Sequence, residues 1–174
     1  MGTINYGTSD YITLGIEPLD AWTVEHDSEF MEEIRAEVAE YGGTVEDAIN
    51  DYINGCAEDD YINIQTELNK HSFYYFHVAI KNGYYDGFYL DIESNFGIAY
   101  DSWQDKREAQ KEITELKQFL ITCAGMGLCE VWPGWCTKYH DYNHTINAIN
   151  EAIKAMREDV KSTPTWAQYE REGV

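Results

Sequence analysis

Cys123, Cys129, Cys136 and His140 are separated by 5, 6 and 3 residues, and three thiols with one imidazole form a donor set that structural zinc sites use. The spacing speaks against such a cage. No C-x-x-C pair is present to seat two thiolates on one tight turn, and Cys123 continues an apolar helical stripe, where a free cysteine behaves as a small hydrophobe. Cys136 also lies close to His140 and His144, the thiol–imidazole pairing that a nucleophilic cysteine requires, but a third group to orient the base is not evident. His77 falls in an alternating strand pattern, and His71 follows a helical segment whose negative end suits an imidazolium. With 32 acidic side chains in the chain, a pair of carboxylates carries no information about acid–base work. Glu58-Asp59-Asp60 and the stretch from Asp141 to Thr145 lack the Gly and terminal Glu of a helix-loop-helix calcium loop. Gly125-Met126-Gly127 lacks the third Gly and the strand-to-helix setting of a phosphate cradle. The expectation is of no cofactor, no bound metal and no catalytic residue.

The acidic residues themselves are the stronger signal. The formal net charge is -20 over 174 residues, and residues 1–70 hold 17 acids against Arg35 and Lys70, whereas residues 71–174 hold 15 acids against 10 bases. Glu29, Glu32, Glu33, Glu37 and Glu40 crowd one segment; Glu46, Asp47 and Asp51 follow, then Glu58, Asp59 and Asp60. Like charges three and four residues apart on a helix each cost a few tenths of a kcal/mol. A surface that keeps this repulsion has a use for negative potential, such as a basic partner. Direct binding to nucleic acid is excluded by the same balance, since affinity for phosphates comes from Lys and Arg.

These side chains need elements to hold them. Residues 11–16 are β-branched and aromatic and read as a strand. Ser28 is placed to cap a helix running through Phe30, Ile34 and Val38 to Gly42-Gly43. Thr44 opens a second helix that ends at Gly55, and residues 59–70 form a third. Residues 72–92 alternate with period 2 around Asn82-Gly83, which predicts a hairpin with a two-residue turn and a bulge at Gly87. Ala109, Ile113, Leu116 and Leu120 recur at helical spacing, predicting a helix over 103–123, and Ile146, Ile149, Ile153, Met156 and Val160 predict another over 143–162, capped by Asp141 or Asn143. Residues beyond Thr163-Pro164 read as a short tail. The predicted fold is α+β: one domain over residues 1–174, with a small antiparallel sheet from the hairpin and N-terminal strand. Two long helices cover one face, and an acidic helical insertion occupies about 25–70. Trp132, Trp135 and Tyr139 surround Pro133-Gly134 in an aromatic loop that either plugs the core or offers a partner platform. No stretch approaches the roughly 18 apolar residues of a membrane span, and no basic-then-apolar leader opens the chain, so the expected location is the cytoplasm.

Residues 6–15, 73–103 and 125–137, the last reading Gly-Met-Gly-Leu-Cys-Glu-Val-Trp-Pro-Gly-Trp-Cys-Thr, resemble a family of uncharacterised proteins carried by phages and conjugative elements of Gram-positive gut bacteria. That resemblance implies a bacterial host and no particular activity. In size and charge the chain is similar to DNA-mimicking antirestriction and anti-CRISPR proteins, a likeness of composition that transfers no residues. Together they imply a non-enzymatic inhibitor whose acidic face, from Glu29 to Asp60, meets a basic nucleic-acid-binding protein. The alternative is a small metal- or thiol-dependent enzyme, or a zinc-stabilised module, centred on Cys136, His140 and His144.

Overall fold

Alternation along the hairpin after residue 72 decides which way the sheet faces. The computed structural model describes residues 11–16, 21–82, 88–95, 99–131 and 140–172. In chain order these form β1 (Leu14–Gly15), α1 (Ala21–Glu25), α2 (Ser28–Tyr41), α3 (Val45–Asn69), β2 (Phe76–Asn82) and β3 (Phe88–Ser94). They are followed by α4 (Trp103–Gly125), β4 (Cys129–Glu130), α5 (Tyr142–Ser162) and α6 (Trp166–Glu172). The strands pair antiparallel in the order β2-β3-β1-β4, so the fold is α+β, as the patterning requires. Phe76, Val78 and Ile80 share a face with Leu90 and Ile92, and Leu14 pairs with Leu90. That face joins Ile113, Leu116, Phe119 and Leu120 of α4, Ile149, Ile153, Met156 and Val160 of α5, and Ile64 of α3 in one buried cluster. On the opposite face Asp91, only 2% exposed, accepts from Lys81 Nζ at 2.5 Å.

Several expectations are corrected. The N-terminal strand shortens to two ladder residues, although Val131 N–H still donates to the Thr13 carbonyl at 3.1 Å and Ile16 N–H to that of Phe88 at 3.2 Å. A two-residue turn at Asn82-Gly83 would pair Lys81 with Tyr84; Lys81 instead pairs with Tyr89 and Asn82 with Phe88, so the connection is longer. Gly83 and Gly87 themselves lie outside the described residues. β2 starts at Phe76 rather than Ser72: the N–H groups of Tyr74, Tyr75 and Phe76 donate at 2.5, 2.7 and 2.9 Å to the carboxylate of Glu112 on α4, while the Tyr75 carbonyl still accepts from Asn95 N–H at 2.7 Å. Asp27, not Ser28, caps α2 through the Phe30 N–H. The stop at Gly42-Gly43 stands, with φ of +82° and +93° that a side chain would resist.

The largest correction is at Gly55. The sequence predicts two helices here; the chain forms one of 25 residues. A mid-helix Gly costs roughly 1 kcal/mol against Ala, and α3 meets that cost by packing at both ends. Ile49 joins Val24, Met31 and Ile34, with Phe30, Tyr52 and Ile53, in a small separate cluster, while Ile64 and Leu68 enter the main one. The tail is also a helix: Thr165 N–H donates to Gln168 Oε1 and Gln168 N–H to Thr165 Oγ1, the reciprocal box that starts α6. Tyr100 holds this terminus through a bridge to Thr165.

α4 and α5 run antiparallel and are clasped by polar contacts. Arg157 Nη1 donates to the carbonyl and to Oε1 of Gln110, and Nη2 to Thr114 Oγ1. Lys106 Nζ reaches the carbonyl of Lys161 near the end of α5 at 3.1 Å, a cation at the negative end of a helix. Tyr11 donates from its hydroxyl to Asp159 at 2.7 Å.

Two stability outcomes follow. A Cβ at Gly55 would meet nothing within 4 Å, so Gly55→Ala is expected to raise stability by about 0.5–1 kcal/mol, read as a shift in the urea midpoint without a change in slope. Glu112→Ala is expected to cost about 2–3 kcal/mol, since hydrogen bonds to a charged acceptor exceed neutral ones. Glu112→Gln, which keeps an acceptor, should lose less. A loss under about 0.5 kcal/mol for Glu112→Ala in urea unfolding would show that the carboxylate does not organise the start of β2.

Candidate functional sites: an acidic helical lobe and a Glu-His cluster

The acidic residues are held by an α-helical lobe with its own apolar centre. Repeated spacing puts Met31 and Ile34 of α2 against Ile49 of α3, and Phe30 packs edge-to-face on Tyr52 at 4.3 Å. Burying those side chains turns the remaining faces outward. Glu29, Glu32, Glu33, Glu37 and Glu40 on α2, and Glu46, Asp47, Asp51, Glu58 and Asp59 on α3, are all exposed, while Asp60 is half-buried. Thr44 caps α3 by accepting from the Asp47 N–H at 3.1 Å, and Glu46 and Asp47 sit in its first turn, where carboxylates suit the positive helix end. No such compensation reaches the acids farther along.

Cations are scarce on these helices. Arg35 is exposed and, among the described residues, forms no ion pair; Lys70 pairs with Glu67 at 2.6 Å just past the end of α3. Burial, with the neighbouring charge of Asp59 adding to it, raises the Asp60 carboxyl above its ordinary range. The Tyr52 phenol is pushed up to about 12, first by its hydrogen bond with Cys56, then by burial and by nearby acids including Glu33 and Asp27. Both shifts have negative charge among their causes.

Two aromatic side chains on this lobe escaped the sequence reading. Trp22 is 66% exposed and Tyr41 77%. Trp22 stacks on His26 at 4.0 Å, and the His26 ring nitrogen Nδ1 lies 2.8 Å from the Trp22 carbonyl, so the indole is held open to solvent. Period could not place Trp22, because α1 is too short to display one, and Tyr41 is the last residue of α2. The platform predicted at Trp132, Trp135 and Tyr139 lies outside the described residues, as does Cys136.

Among the described residues His140 groups with Glu130 and His144, not with Cys123 and Cys129. Cys123 is fully buried in the main core, and burial, followed by the charge of Glu67, pushes its thiol up to about 12, far from the thiolate a metal needs. Cys129 Sγ lies 3.6 Å from the carbonyl of Gly15. His140 instead stacks on His144, with ring centroids 3.8 Å apart, and His144 Nε2 lies 2.5 Å from Glu130 Oε2. Positioning begins with the end of α4: Leu128 N–H donates to the Cys123 carbonyl and Gly127 N–H to that of Ala124. This paired closure has Gly127 at φ +102° and leads directly into β4 and Glu130. Glu130 N–H donates to Thr145 Oγ1 at 3.0 Å, and its carbonyl accepts from His140 N–H at 3.2 Å. Asp141 caps α5 by accepting from His144 N–H at 2.8 Å. Glu130 had no signal in the sequence, since its meeting with the histidines depends on β4 lying beside the start of α5.

The raised Asp60 carboxyl gives a pH-dependent outcome. The folded chain holds this proton more tightly than the unfolded chain, so the favourable contribution is complete below the ordinary Asp value of 3.8 and is lost as pH rises through the raised folded value. Asp60→Asn is therefore expected to unfold at a higher temperature than the parent at pH 7, with the difference shrinking to nothing as pH falls below about 4. A parent that is the more stable of the two at pH 7, in paired melting curves, would contradict this.

No family model, no curated protein and no solved structure matches this chain, so its functional reading rests on the acidic lobe and the Glu-His cluster themselves.

Proposed function

We propose that the protein is an inhibitor that mimics nucleic acid: the acidic lobe docks in the basic groove of a host defence nuclease, of the kind that anti-CRISPR and antirestriction proteins block, without catalysis. The observation that carries this reading is the row of exposed carboxylates on α2 and α3, from Glu29 to Asp59, with Arg35 the single basic residue between residues 21 and 69. Successive turns of a helix rise about 5.4 Å, and duplex DNA carries one charge per about 1.7 Å of axis, so carboxylates on two adjacent helices approach the charge density of a phosphate backbone. Exposed Trp22 and Tyr41 add what carboxylates lack, apolar contact area that stays rigid on burial and serves as an interface anchor. Charge sets the encounter rate and the choice of a basic target; the aromatics slow release. The working compartment on this reading is the cytoplasm of a bacterial host, and the mobile-element resemblance supplies the reason for such an activity.

The test uses the Glu32→Lys, Glu33→Lys, Glu37→Lys triple variant beside the parent protein. Both are used to capture partners from a bacterial lysate, and the captured nuclease is assayed for DNA binding with each added back. The parent is expected to compete with DNA, and its affinity to fall at least ten-fold between about 50 and about 200 mM salt, as electrostatic contacts do. The variant should lose competition and keep the parent's melting temperature within a few degrees, because exposed substitutions shift stability by about 0.5 kcal/mol or less. Equal competition by parent and variant, or capture of no nucleic-acid-binding protein by either, would sink the proposal.

A further inference from the structure

Glu130, His140 and His144 lie on the main body, on elements other than the acidic helices. We propose that they form a binding site for a divalent transition metal of the zinc class, held by one carboxylate and two imidazoles, with a further coordination position left to water or a ligand. The inference is independent of nucleic-acid mimicry.

Chemistry selects the ion. Two imidazoles with one carboxylate are a three-ligand set that zinc uses when it keeps a position open, whereas calcium and magnesium favour all-oxygen shells and copper(I) favours sulfur. Geometry agrees with the size. One donor atom from each of the three residues lies within 4.8 Å of the other two, and donors bound at about 2.1 Å around a tetrahedral zinc stand about 3.4 Å apart. The His140 and His144 rings, stacked 3.8 Å apart and 17° from parallel, must turn out of the stack for both in-plane nitrogen lone pairs to meet at one ion, a rotation that also opens the 2.5 Å contact between Glu130 Oε2 and His144 Nε2. That contact is itself informative: Glu130 Oε2 is sealed from solvent and, close as it is to His144, makes no aligned hydrogen bond with it. Among the described residues the ion-pair partner of Glu130 is His144, so a cation would supply the charge that a sealed carboxylate oxygen requires.

The backbone holds the three residues beside one another. Glu130 is fixed on both sides, through its N–H to the fully buried Thr145 and through its carbonyl to His140 N–H, and the Asp141 cap fixes the turn that carries His144. Such support from backbone and neighbouring groups is what orients metal ligands. His140 Nε2 is sealed within the protein, while His144 is 49% exposed and lines a cleft together with Tyr11, Ile12, Asn147 and Glu151. The cleft provides the path for the ion and space for an added ligand.

Full-length protein stripped with a chelator and titrated with zinc, against a chromophoric competitor, is expected to bind one equivalent and to melt at a temperature that rises with the logarithm of free zinc. Titration with cobalt(II) should give visible d–d bands without thiolate-to-metal charge transfer. Glu130→Gln and His144→Asn should each weaken zinc binding at least about ten-fold while leaving the metal-free circular dichroism unchanged. Failure of the unaltered protein to bind zinc saturably would overturn the proposal whether or not the variants fold. A thiolate charge-transfer band, or full zinc affinity in a folded His144→Asn, would overturn it as well, by placing the ion elsewhere.

Discussion

Three consecutive backbone N–H groups converge on one carboxylate where α4 meets the start of β2, and much of the main layer is arranged around that junction. Glu112 has Ile113 and Leu116 beside it on α4, and both are fully buried. The helix that supplies the acceptor therefore also supplies the floor of the core. A carboxylate accepting three donors fixes the azimuth of α4 relative to the sheet more tightly than apolar packing does, because hydrogen bonds are directional and dispersion contacts are not. With α4 set in that orientation, its far end closes at Gly127 and delivers β4 to the edge of β1. The arrangement of Glu130 beside α5 is a downstream result of the same constraint. Gly15 accommodates it: a Cβ there would press on the Val131 methyls at 3.3 Å and the Phe88 carbonyl at 3.4 Å.

Charge is managed differently in the two parts of the molecule. In the main body acids are given partners: Asp91 takes Lys81, Asp159 takes Tyr11, and Asp105 and Glu108 accept from the Tyr75 hydroxyl. Burial and those two acids raise the Tyr75 phenol well above its usual value, burial being the larger cause. In the helical lobe carboxylates project into solvent in rows, and desolvation is avoided rather than compensated. Such a surface costs little while hydrated, and it gains when a cationic surface displaces its counterions.

What the sequence made legible is what depends on local periodicity. Apolar residues at 3.6 spacing located α4 and α5, the alternation around Val78 and Ile92 located β2 and β3, and Thr44 with Asp47 located the start of α3. What it concealed depends on tertiary contact. Gly55 reads as a stop because its local cost is visible, whereas the two clusters that outweigh it are not. The turn at Asn82 reads as two residues because the dipeptide fits one, yet pairing of Lys81 with Tyr89 sets the register. β4 is too short to have a period at all, which is why the Glu-His cluster was seen only as two histidines near Cys136. The eleven acids were legible as a group, and the structure adds their exposure and the half-burial of Asp60.

Among the described residues the two apolar clusters share one element, the long helix α3, and this divides the molecule mechanically as well as electrically. Among the described residues the cluster around Ile49 is small, with Val24, Met31 and Ile34 as its other buried members, and the one that α4 and α5 share is far larger. Repulsion among the carboxylates of α2 loads only the smaller cluster. Local opening of the lobe therefore requires less free energy than global unfolding and leaves the sheet and its helices intact. Substitutions on the acidic surface can accumulate against this low local barrier without reaching the scaffold, so the lobe is free to diversify in sequence while the body that carries it stays fixed.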